Sequence, residues 1–202
     1  MRAGVLGILM LIAVASAGCG GAMQQAAPVS SQVPAAPAFV ERNATQASGT
    51  PVIVAGKSGV SLRAQPGGTF GVMVVLRNYT HRQLMLDDVR AVVPHGSFVR
   101  QLGTHLAPFF QCKPYCSRHM VMHGPFGTQH PRALHVRPQN SAQAELNFAV
   151  AGCSALKSAS TAPITQAVVV YRDAQGAVHR QTIALKSAQL ALQSPEQVAC
   201  RA

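Results

Sequence analysis

Acidic residues are scarce in this chain. Six Asp and Glu stand against 17 Lys and Arg in 202 residues, a formal charge of +11. Charged residues make up 11% of the sequence, less than half of the roughly 25% usual in globular proteins. So few acids leave little material for paired-carboxylate catalysis, and so few charges exclude a charge-laced coiled coil. Tryptophan is absent and aromatics amount to 5%. The stacking platforms and basic stripes that bind nucleic acid are therefore missing, and no nucleic-acid partner is expected. A hydrophobic share of 48% excludes a wholly disordered chain.

Catalytic signatures are missing as well. The chain has no Gly-x-Ser-x-Gly elbow, no His-Glu-x-x-His, no phosphate-cradling glycine loop and no dinucleotide fingerprint. Its later carboxylates are Asp87, Asp88, Glu145, Asp173 and Glu196. Asp87 and Asp88 are the only adjacent pair, and neighbours in a regular strand point to opposite faces. No enzyme is expected, and no cofactor beyond the copper alternative considered below.

What is present begins with an address. Residues 1–18 carry Arg2, an apolar core Val5–Val14, and then small residues, the pattern of a signal peptide. The core is too short for a bilayer span, which takes about 20 apolar residues. The boundary Ser16-Ala17-Gly18-Cys19-Gly20 resembles a bacterial lipoprotein processing site. The resemblance implies that Cys19 is lipidated, palmitate included, and becomes the mature N-terminus. The location it implies is extracytoplasmic, anchored to a bacterial membrane. Two acyl chains suffice for stable anchoring. Residues 19–50 are rich in Ala, Gln, Ser, Pro and Gly with no lasting period, and read as a flexible tether.

From residue 51 the texture becomes β-like, and residues 51–202 are expected to form one domain. Thr69–Asn78 alternates with Phe70, Val72, Val74 and Leu76 on one face. Further strands are expected at 51–55, 60–64, 83–93, 97–102, 133–137, 142–150, 164–172 and 177–185. Asp173-Ala174-Gln175-Gly176 is expected to turn a hairpin between the last two. Short strands with frequent turns and no amphipathic helix read as an all-β antiparallel sandwich of about seven to nine strands. Leu76-Arg77-Asn78-Tyr79-Thr80, followed by Leu84-Met85-Leu86, resembles bacterial extracellular immunoglobulin-like domains. That resemblance implies an immunoglobulin-like sandwich and no particular chemistry.

With Cys19 lipidated, four cysteines remain: Cys112, Cys116, Cys153 and Cys200. Disulfides are permitted outside the cytoplasm, and three connectivities are open. Cys112–Cys116 with Cys153–Cys200 is the expected pairing, because Pro114 favours a tight turn and a staple at Cys200 would pin a fraying tail. The Cys112-x-x-x-Cys116 spacing is shared with thioredoxin-like copper-insertion proteins, but no βαβ scaffold surrounds it.

Seven of the eight histidines fall between His81 and His135. The densest stretch is His119-Met120-Val121-Met122-His123. Imidazole and thioether suit Cu(I), and the stretch is loosely similar to periplasmic copper chaperones, which are small β-sandwiches. That similarity implies His119, Met120, Met122 and His123 as a ligand set and a Cu(I)-binding module as the alternative function. The leading expectation is a non-catalytic, membrane-anchored binding or structural module of the cell envelope. Residues 1–50 hold only Arg2, Arg42 and Glu41 among charged residues, so the positive excess belongs to the folded part. Anionic lipid or cell-wall polymers are the expected partners. The oligomeric state is not readable.

Overall fold

The computed structural model describes residues 36–42, 46–56, 58–109, 126–156, 158–160 and 162–193. These residues build twelve strands and one single-turn helix, α1 (Cys153–Leu156). Three sheets share them. The first runs β1 (Phe39–Arg42), β5 (Thr69–Asn78), β9 (Ser141–Val150), β7 (Val99–Pro108), with β2 (Ala47–Gly49) also pairing β5. The second runs β11 (Val178–Ala184), β10 (Gln166–Arg172), β6 (Leu84–Ala91), β8 (Leu134–Val136). The third is β12 (Leu190–Gln193), β4 (Gly59–Arg63), β3 (Val52–Gly56).

The all-β expectation is met, with two corrections. Strand number exceeds the seven to nine expected, because short edge strands escape a pattern search. The architecture is also not wholly antiparallel, since β12 pairs β4 in parallel, Leu190 opposite Val60.

β5 shows why the core sits where it does. Phe70, Val72, Val74 and Leu76 project into one apolar cluster with Leu84, Leu86 and Val89 of β6 and Ala167 and Val169 of β10. Phe70 lies opposite Phe148 of β9, and their rings stack at 5.2 Å. Met73 and Val75, on the other face, are also fully buried yet lie outside that cluster. A strand covered on both faces reads as an almost unbroken apolar run, and Thr69–Asn78 does so.

Asn78 closes β5. Its side chain is fully buried. Nδ2 donates to the carbonyls of Arg82 at 2.9 Å and Val136 at 3.0 Å, and Oδ1 accepts from Thr80 N at 2.9 Å and Thr80 Oγ1 at 2.7 Å. One amide thus ties the turn after β5 to the end of β8. This is the physical content of the Asn-x-Thr pattern.

The β10–β11 hairpin turns where expected, one residue longer. Asp173 N donates to Ala177 O at 3.1 Å, and Gly176 N donates to Asp173 O at 3.0 Å. Gly176 takes φ +84°, a conformation that costs glycine little.

The domain boundary expected at residue 50/51 falls inside the first sheet. β1 and β2 lie on its N-terminal side, and the compact unit begins at Ala36. Phe39 is fully buried and packs edge-on to Tyr171 at 5.4 Å. Glu41, also buried, accepts from the backbone N–H groups of Lys186, Ser187 and Ala188 and from Ser187 Oγ. A buried carboxylate is tolerated when donors surround it, and here it shapes the chain between β11 and β12.

Candidate functional site

One groove follows from two irregularities in neighbouring strands. β8 covers the edge of β6 only at Leu84–Leu86, so the main chain beyond Leu86 needs other partners. β7 supplies them through a bulge. Its register with β9 slips between Gln101 and Gly103, and a bulge re-aims the side chains beside it. Gln101 Oε1 accepts from Ala91 N at 2.8 Å, and its Nε2 donates to Val89 O at 3.2 Å. Thr104 Oγ1 donates to the same carbonyl at 2.6 Å. Two side chains of one sheet thereby fasten the open edge of the other.

This seam floors a groove of about 710 Å³. The chain after β6 makes one wall, with Ser97 N donating to Pro94 O at 3.1 Å and Gly96 at φ +67°. Residues 129–131 form the other. They cross so close to β7 that a Cβ on Gly103 would meet Gln129 O at 2.4 Å and Gln129 N at 2.5 Å. Only glycine admits that crossing. Arg90, His95, Arg100 and His130 line the groove, with Asp88 as its only acid among the described lining residues.

The acids are already engaged. Asp88 accepts from Val89 N at 2.8 Å and from Arg90 Nε. Asp87 forms a forked pair with Arg172, the closest contact being 2.7 Å from Nη2; that hydrogen bond and charge hold the guanidinium above its ordinary pKa. The register of β6 against β10 skips Asp87, opposing Val170 to Asp88 and Tyr171 to Leu86. The bulge brings both aspartates to the outer face, correcting the expectation of opposite faces. Glu41 is bound by the backbone of 186–188, as above, and Glu145 is engaged too. Asp173 contacts His179 Nε2 at 2.7 Å and accepts from Gln175 N and Ala177 N. The His179 hydrogen bond, with those backbone donors, lowers its pKa. His179 stacks on Tyr171 at 5.2 Å, and burial, then Asp173, raises the Tyr171 pKa. Arg100 pairs with no acid among the described residues.

Of the residues singled out in sequence, Cys153 opens α1 and is disulfide-bonded. It is the only cysteine among the described residues. Cys19, Cys112, Cys116 and Cys200 lie outside the described residues, as do His119, Met120, Met122 and His123. Among the described residues no group of three or more His, Cys, Asp or Glu is placed to hold a metal ion. No described helix is long and apolar enough to cross a membrane. The groove was not foreseen. Its only sequence signal is Gln101-Leu102-Gly103-Thr104, where two polar side chains and a glycine interrupt an otherwise regular strand.

No protein-family model matches the chain, and no curated protein matches it in sequence. Solved structures with some likeness include a family 123 glycoside hydrolase from Clostridium perfringens, at 10% identity and a TM-score of 0.26. The alignment covers 74% of this chain and 27% of that one. A likeness at that level assigns neither fold nor activity.

Proposed function

We propose that this protein is a non-catalytic lipoprotein of the bacterial cell envelope, anchored through Cys19 and presenting a binding module outside the membrane. The N-terminal pattern of residues 1–20 supports the anchor. The module is read as an immunoglobulin-like sandwich, and strand order supports that reading. In the immunoglobulin fold, strands A, B, E and D share one sheet and C, F and G the other. Assigned in chain order, β1, β5, β9 and β7 match the first set, and β6, β10 and β11 match the second. The remaining strands are additions.

One observation carries the binding reading. Every described carboxylate is engaged within the fold, while the groove exposes Arg90 and leaves Arg100 without an acidic partner among the described residues. The groove therefore offers cationic donors for recognition in place of a free acid–base pair. In this reading the disulfide at Cys153 closes on Cys200, and Cys112 pairs with Cys116.

Cell fractionation tests the anchor. The wild-type protein is expected with membranes, and Cys19→Ala in the soluble extracytoplasmic fraction. A Cys19→Ala protein that stays with membranes as the wild type does would refute the proposal.

A further inference from the structure

We propose that the groove at the β6–β7 seam binds an extended polyanion, a chain bearing repeated phosphate or carboxylate groups, with Arg100 and Arg90 as its principal contacts. This rests on reading the protein as an envelope binding module, and it names the site and the ligand chemistry.

The groove is cationic. Arg90 and Arg100 line the groove with His95 and His130, against Asp88 as the single acid among its described lining residues. Asp88 is already occupied by Val89 N and Arg90 Nε. Arg90 spends one edge on that contact, and its side chain remains 74% exposed. Arg100 pairs with no acid among the described residues, whose carboxylates are all used elsewhere. A planar guanidinium matches the two oxygens of a phosphate or carboxylate. The formal charge of +11 also raises the local concentration of anions.

Its shape and rigidity also suit a ligand. A groove of about 710 Å³ falls in the range of ordinary ligand sites. Gln101 and Thr104 lock its floor, and the close passage of Gln129 over Gly103 fixes one wall. A preorganised site loses little entropy on binding. No Phe, Tyr or Trp is among its described lining residues, so the broad stacking surface that favours neutral sugar rings is not offered by them.

The test uses the full-length protein in detergent micelles with three fluorescent probes. They are an oligogalacturonate for carboxylate, a linear oligophosphate for phosphate, and a neutral malto-oligosaccharide. Anisotropy titrations should show binding of one or both anionic probes and not of the neutral one. The anionic probe that binds more tightly identifies the source chemistry. Affinity should fall as NaCl is raised, because exposed charges are screened. Arg100→Ala and Arg90→Ala should each weaken binding by about threefold to fivefold, the scale of a partly exposed ion pair. Arg63→Ala and Arg180→Ala, outside the groove, should leave it unchanged.

Failure of both anionic probes to bind would overturn the proposal. So would equal losses in all four variants, which would mean diffuse surface charge. If the groove fails while membrane retention still depends on Cys19, only the ligand inference falls. If retention does not depend on Cys19, the envelope reading itself fails.

Discussion

The side-chain amide of Gln181 brackets the main chain of Phe39. Its Nε2 donates to Phe39 O at 2.7 Å, and its Oε1 accepts from Phe39 N at 3.0 Å. Gln181 lies on β11, an edge of the second sheet, and Phe39 on β1, an edge of the first. At the other end of the first sheet, Gln101 of β7 makes the same kind of contact with Val89 and Ala91 of β6. Each amide supplies one donor and one acceptor, so it replaces a missing backbone partner where two sheets meet.

Truncating Gln181 leaves Phe39 N and O without their side-chain partner, and truncating Gln101 does so for Ala91 N, while Val89 O keeps Thr104 Oγ1. Gln101→Ala and Gln181→Ala are each expected to cost about 1–2 kcal/mol, the range for a part-buried hydrogen-bonded group. The brackets fasten opposite edges and share no partner, so the effects should add within about 0.5 kcal/mol. Urea denaturation of both single variants and the double variant measures this. A double variant costing no more than one single would show that the edges do not act independently.

Asn78 leads to a sharper substitution. Asn78→Ala should cost about 2–3 kcal/mol, because buried carbonyls and the Thr80 donors lose their partner. Asn78→Asp keeps the shape but turns the donor Nδ2 into an acceptor facing the carbonyls of Arg82 and Val136. It should therefore destabilise at least as much as alanine at neutral pH. Chemical denaturation of the two variants side by side decides it.

The β10–β11 turn should respond to acid. The His179 hydrogen bond and the backbone donors Ala177 and Gln175 hold the Asp173 pKa below its ordinary value. The folded state thus binds that proton less readily than the unfolded state. Its contribution is fully present above the unfolded pKa of about 4 and fades as pH falls through the lower folded value. Asp173→Asn should melt below the wild type at pH 7, and the gap should narrow as pH is lowered through about 4 toward 2. A gap that stays constant over that range would mean the carboxylate charge is not what stabilises the turn.

The elements legible in the sequence are those whose determinants are local. Thr69–Asn78 announces β5 by its apolar run and by the Asn-x-Thr that closes it. Asp173 and Gly176 announce the hairpin because each satisfies the turn's own backbone. β1 was missed because Phe39-Val40-Glu41-Arg42 is only four residues long. It is held by Gln181 and by the main chain of 186–188, partners 142 to 147 residues away. The groove was missed for a different reason. It arises where β8 stops pairing β6 after Leu86 and where β7 slips near Leu102, and a period-two pattern carries no mark of where a strand loses or skips a partner. A separate slip at Asp87 placed both aspartates on one face, and each has its own arginine.

The most direct measurement is the intact mass of the mature protein extracted from membranes, with fragmentation of its N-terminal peptide. A lipidated protein should begin at Cys19, lack residues 1–18 and carry a diacylglyceryl group on the Cys19 sulfur. A mature chain that retains residues 1–18, or one with an unmodified Cys19, would contradict the lipid anchor.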